Sequence, residues 1–188
     1  MKKKTALILF LSILIVIATI GIIYTVNLYN KYPIENTKND ILKHLIKWET
    51  RFTKTLDIEL VSVNQLGTSD TYIALYKQYD TPSYAVMKKG RNNKLMLKYS
   101  GRGSNQVKFI DVNTNEGKYG ILYGTNLENR IDTVKVEIEY VNSKPSNYVY
   151  EVPEQLHFLE VKKLTKSKGL SYTTWECYDE NQKQITID

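Results

Sequence analysis

The densest run of chemically useful side chains lies between Asp80 and Asp111. No acid falls inside it, while Lys88, Lys89, Arg91, Lys94, Lys98, Arg102 and Lys108 supply seven positive charges. Residues 111–160 hold nine acids against four bases. Cations at this spacing attract anions, and the anions that fit are an envelope polymer or lipid headgroups. The competing reading is structural: lysines blunt a sheet edge and pair with the acidic segment.

Other motifs stop short of a site. Asp111-Val112-Asn113-Thr114-Asn115 imitates the opening of a calcium loop. Glu116 stands where that loop needs glycine, and Leu122 where it needs its closing acid, so a hairpin turn is expected. Gly101-Arg102-Gly103-Ser104-Asn105 has the glycines of an anion nest. No Lys-Ser/Thr pair follows, and a bulged turn is expected. His44 and His157 have no metal-ligand spacing to each other or to Cys177. A Cys177–His157 couple would need adjacent strands and a third, orienting group. Glu137 and Glu139 alternate with apolar residues and read as a solvated strand face. Neither a Gly-x-Ser-x-Gly elbow nor a Ser-x-x-Lys pair is present. The sequence names no catalytic, metal-binding or cofactor-binding residue, and the expectation is a protein that is not an enzyme and uses no cofactor.

The elements that must position the basic run begin with Thr5 to Val26, 22 residues without a charge. At about 1.5 Å per residue this stretch reaches about 33 Å, enough for a bilayer core. Lys2, Lys3 and Lys4 precede it, so the positive-inside rule predicts a cytoplasmic stub over 1–4 and the bulk of the chain outside. A cleaved signal peptide would need a shorter apolar core. Thr19-Ile20-Gly21 is a weak cleavage match, and the apolar run continues through Tyr24. An uncleaved anchor over 5–26 in the cell membrane is expected. No cysteine lies near the N-terminus to carry a lipid.

Residues 27–54 read as a juxtamembrane linker and an amphipathic helix. Tyr24, Tyr29 and Tyr32 suit a membrane–water interface, and Pro33 interrupts any continuous helix. Ile41, Leu42, Leu45, Ile46, Trp48 and Phe52 recur at helical spacing, which predicts a helix over 37–53. Its apolar face packs either on the following domain or on the outer leaflet.

From residue 55 the period falls to two. Strands are expected at 57–65, 71–78, 83–89, 93–99, 106–113, 117–124, 131–141, 147–152, 156–163, 171–178 and 183–187, with polar turns between them. The prediction is a mainly β, extracytoplasmic domain over 55–188, an antiparallel meander folded as a sandwich or a curved sheet. Residues 55–188 hold 17 bases and 17 acids. The basic balance therefore belongs to the membrane-proximal part, which argues against nucleic acid as a partner. A single cysteine rules out an intrachain disulfide.

Tyr72 to Asn126 resembles a set of uncharacterised, small, membrane-anchored or secreted β-rich proteins of Gram-positive bacteria. The shared features are the lysine-glycine turn of Tyr84-Ala85-Val86-Met87-Lys88-Lys89-Gly90-Arg91-Asn92-Asn93-Lys94, then Tyr99-Ser100-Gly101-Arg102-Gly103. The hairpin turn Thr114-Asn115-Glu116-Gly117-Lys118-Tyr119 and the strand end Tyr123-Gly124-Thr125-Asn126 follow. The resemblance implies architecture and address, and no activity. The expected function is that of an anchored, outward-facing binding protein that meets an anionic envelope polymer or a membrane protein. A small envelope enzyme with a dispersed site and an immunity-type protective protein are the alternatives.

Overall fold

The computed structural model of the protein describes residues 2–51, 56–103, 106–140, 144–165 and 171–187. Helix α1 spans Lys2–Lys31 and runs past the expected span by more than a turn, because Asn27, Asn30 and Lys31 tolerate a helix that Pro33 forbids. It is long and apolar enough to cross a membrane, and its apolar side chains are open all round: Ile15 is 67% exposed and Ile22 64%.

Helix α2, Lys38–Glu49, is shorter than expected. Thr37 caps it by accepting the Asp40 N–H, and Asp40 in turn accepts the Glu35 N–H at 2.7 Å. Phe52, expected at its end, lies outside the described residues.

All eleven expected strands form, with ends displaced by at most three residues: β1 Ile58–Gln65, β2 Thr71–Gln78, β3 Thr81–Lys89, β4 Leu95–Arg102, β5 Val107–Thr114, β6 Gly117–Thr125, β7 Thr133–Tyr140, β8 Ser146–Glu151, β9 His157–Lys163, β10 Ser171–Tyr178 and β11 Gln184–Ile185. Every pairing is antiparallel. The strands make three sheets, ordered β1-β2-β3-β4, β5-β6-β9 and β11-β10-β7-β8.

The core is layered. Ile41 and Leu45 of α2 pack with Tyr72, Ala74, Tyr76, Ala85 and Met87 on one face of the first sheet. The helix therefore spends its apolar face on the β-domain rather than on a leaflet. Each fully buried aliphatic side chain of this kind contributes about 1.5–3 kcal/mol. The other face of that sheet, through Ile73 and Val86, meets Val112, Tyr119 and Ile121 of the second sheet. The second sheet's far face, through Val107, Leu122 and Phe158, meets Val134, Val136, Ile138 and Cys177 of the third. β6 is thus covered on both faces, which explains its run of six buried residues where a one-sided strand would alternate.

Little chain separates the first helix from this stack. After Tyr32 and Pro33, Ile34 exchanges both backbone hydrogen bonds with Leu95 at the start of β4 (3.0 and 2.7 Å) and is buried in the α2 core. The tips of three hairpins gather at this same end. Glu116 in the β5–β6 turn accepts from the Thr68 N–H and hydroxyl in the β1–β2 turn, and Asn115 accepts the Asp70 N–H at 3.1 Å. Asp70 in turn meets the end of β3, where its carbonyl accepts the Lys89 N–H at 2.7 Å.

Candidate functional site

The β3–β4 turn, Gly90 to Lys94, is built to lie against α1. The Gly90 N–H donates to the Lys94 carbonyl at 2.8 Å, and Asn93 takes a positive φ of 60° to close the loop. Asn92 accepts the Lys94 N–H through its side-chain oxygen and donates its amide to the Tyr32 carbonyl at 3.2 Å. Gly90 is required by the helix: a Cβ there would stand 2.6 Å from Cγ of Tyr32. Arg91 reaches back to the Tyr24 hydroxyl at 3.4 Å. Lys94 pairs with Glu35 at 2.6 Å and lies 4.8 Å from the centre of the Tyr29 ring.

These contacts leave a cleft of about 390 Å³ between the last two turns of α1 and the hairpin tip. Its charged lining is Lys31, Lys88, Lys89 and Arg91 against the single carboxylate of Asp70, and Tyr24 and Tyr32 form part of the wall. Asp70 pairs with Lys88 at 3.1 Å. Among the described residues, neither Lys31, Lys89 nor Arg91 has a carboxylate at ion-pairing distance.

Of the seven cations in the basic run, the structure brings Lys88, Lys89 and Arg91 into this cleft and sets Lys94 beside it. The other three lie elsewhere. Lys98 is the extra residue of a bulge on edge strand β4, between Leu97 opposite Met87 and Tyr99 opposite Val86. Arg102 closes the same strand, about 23 Å from Leu95 at strand rise, where its charge is felt at Tyr76. Lys108 is on β5, at the edge of the second sheet. The carboxylates that pair with the run, Asp70 and Glu35, both precede it in sequence rather than falling in the acidic segment. The tyrosines at the helix exit were legible from their position; Asn27 and Asp70, which also line the cleft, carried no signal.

The remaining sequence candidates have structural occupations. Asp111 pairs with Lys118 across the β5–β6 hairpin, and Asn115 and Glu116 hold the neighbouring turn. Gly103 donates its N–H to Pro82 at 2.9 Å, while Ser104 and Asn105 lie outside the described residues. His44 donates from Nδ1 to the Asp40 carbonyl at 2.9 Å, one turn back on its own helix. Cys177 is buried opposite Val134, and burial pushes its thiol up to about 11, away from nucleophilic use. His157 alternates with Phe158, which packs with Cys177, and so faces the other side of the second sheet. The two cannot form a couple.

Further depressions lie elsewhere, two of them lined by polar side chains. One, at the far end from the hairpin tips, holds His157 with Thr125 Oγ1 at 3.3 Å from its Nδ1, walled by Pro82, Leu127 and Leu156. Burial, with Lys77 nearby, holds the His157 imidazole below its ordinary value. The other lies on the open face of the third sheet, between Lys135, Glu137, Asn147 and Glu176. There Lys135 stacks on the Tyr178 ring and Tyr178 donates to Glu176 at 2.6 Å. Among the described residues no cluster of three or more His, Cys, Asp or Glu side chains is placed to hold a metal. Comparison with known proteins finds no matching family model, no similar curated protein and no similar solved structure.

Proposed function

We propose that this chain is a single-pass membrane protein whose β-domain stands outside the cell as a binding module, pressed to the membrane surface by its own anchor. It acts by contact with an anionic envelope polymer or a membrane protein, without chemistry of its own. One observation supports this most directly: the exposed, apolar α1 passes into the β-stack through Tyr32 and Pro33 alone, and the basic β3–β4 tip is bonded to its last two turns. Lys2 to Lys4 set the N-terminus inside by the positive-inside rule. An aromatic and basic collar where the apolar helix ends is the chemistry of a headgroup layer. The resemblance over Tyr72–Asn126 fits the same address.

The test is made in intact cells. Asn181→Cys, on an exposed turn, reacts with a membrane-impermeant thiol reagent before lysis if the domain is outside; buried Cys177 stays silent. Reaction only after lysis would overturn the orientation. In-cell crosslinking of the full chain then captures the partner. The combined Lys88→Glu, Lys89→Glu and Arg91→Glu variant loses that partner, and undiminished capture would discard the basic tip as the contact.

A second reading, a small envelope enzyme, has the Thr125–His157 pair in its distal cleft as its one support. It requires His157→Ala to abolish the cellular role while the β3–β4 variants leave it intact.

A further inference from the structure

We infer that the cleft between α1 and the β3–β4 tip is a binding site for one phosphodiester anion, held by Lys31, Lys89 and Arg91; this rests on the anchored reading above. Three features converge on it. The first is unspent charge. Asp70 satisfies Lys88, but Lys31, Lys89 and Arg91 face the same concavity without a carboxylate partner among the described residues. Three cations gathered without a counter-ion repel one another, and a bound anion relieves that cost. The Arg91 bond to Tyr24 is a bond to a neutral hydroxyl and does not neutralise the guanidinium.

The second feature is chemical type. A guanidinium presents a planar fork that matches two oxygens of a phosphate, while ammonium groups act as point charges around it. Lys31 comes from the helix, Lys89 from the end of β3 and Arg91 from the turn. The three approach from separate elements held in register by Asn92–Tyr32, Lys94–Glu35 and the Gly90–Tyr32 contact. A site assembled this way is positioned before ligand arrives.

The third feature is place. The cleft wraps the last two turns of the apolar helix, with Tyr24 and Tyr32 in its wall, at the level where an anchored chain meets phosphodiesters. Its volume of about 390 Å³ suits a single phosphodiester unit. Two sources offer the same group: the headgroup of an anionic phospholipid and a repeat of a polyol-phosphate polymer.

The test uses the full chain in detergent, titrated with phosphatidylglycerol, phosphatidylcholine or a poly(glycerol phosphate) oligomer and read by native mass spectrometry. Phosphatidylglycerol is expected to bind at a stoichiometry of one and in clear preference to phosphatidylcholine. Lys89→Gln with Arg91→Gln should weaken it by about thirtyfold, at about 1 kcal/mol for each charge near a surface. Lys98→Gln with Lys108→Gln removes the same charge from the sheet edges and should leave it unchanged. Lys31→Gln repeats the loss without touching the hairpin, which guards against a folding artefact. Binding of the polymer instead, with the same dependence on Lys89 and Arg91, supports the site and names the polymer as its source. Equal losses from both double variants, equal affinity for the two lipids, or binding of neither anion overturns the site. The anchored binding module would survive that result, since its orientation and its captured partner are read separately.

Discussion

Lys94 sits between Glu35, 2.6 Å from its carboxylate, and the ring of Tyr29, 4.8 Å away, and so ties a hairpin tip to the helix that precedes the whole domain. Exposed ion pairs are worth little singly. Here the pair is one of four ties on a short segment, with Arg91–Tyr24, Asn92–Tyr32 and the Ile34–Leu95 bridge. Together they make a fixed joint between α1 and the β-domain.

The tightest point of that joint is Gly90 against Tyr32. Gly90→Ala places a methyl group 2.6 Å from the ring carbon nearest the backbone, which cannot swing away as a side-chain tip can. A cost of about 1–3 kcal/mol is expected, seen as a lower urea midpoint for the full chain in detergent. Gly21→Ala, where nothing lies within 4 Å, is the control and should leave the midpoint unchanged.

A second prediction concerns the end of α2. One oxygen of Glu49 accepts from the Tyr76 hydroxyl at 2.8 Å and from Ser100 Oγ at 2.6 Å, and Trp48 donates to the same serine at 3.0 Å. Glu49→Ala strands a fully buried tyrosine hydroxyl and should cost about 1–3 kcal/mol. Tyr123→Phe should be neutral or slightly stabilising, because the buried Tyr123 hydroxyl has no partner to lose. Thermal unfolding of the two variants side by side checks the contrast.

How much of this was legible follows from where each signal lies. Alternation in Val134 to Tyr140 and the polar turns located every strand, because both signals are local. The stacking of three sheets was written more faintly, in the near-continuous apolar runs Tyr72 to Tyr76 and Tyr119 to Tyr123, which belong to strands covered twice. The cleft was half legible. The charges of Lys88, Lys89 and Arg91 were plain, but their neighbour Tyr24 is 67 residues from Arg91, and no local period records such a contact. Lys98, Arg102 and Lys108 looked equivalent in sequence because charge spacing does not reveal a bulge, a strand's far end or a change of sheet.

Alkaline pH should unfold the domain early. Burial raises the phenols of Tyr76, Tyr123 and Tyr150 above their ordinary value, and at Tyr76 the Glu49 carboxylate adds to it. The native state therefore keeps protons that the unfolded chain gives up. Stability from these groups is complete below about pH 10 and falls as pH rises toward the folded values. Urea midpoints taken from about pH 8 to about pH 11 should decline only in the upper part of that range, and Tyr123→Phe should shallow the decline. A flat profile would contradict the burial of these side chains.

Cys177 should resist thiol reagents at neutral pH until the domain unfolds, since it is 2% exposed and its thiol is pushed up to about 11. Labelling in increasing urea should follow the global unfolding transition. Labelling in native conditions would contradict its place between the second and third sheets.

The fixed joint is tested most directly by distance. Spin labels at Asn30→Cys on α1 and Asp80→Cys on the β2–β3 turn, both exposed, report the two sides of it while Cys177 stays unlabelled. Pulsed dipolar spectroscopy on the full chain in a bilayer should give one narrow distance distribution. Lys94→Ala with Gly90→Ala should broaden it. A broad or multiple distribution in the unaltered chain would show a domain swinging free of α1, and would contradict the joint on which the proposed cleft depends.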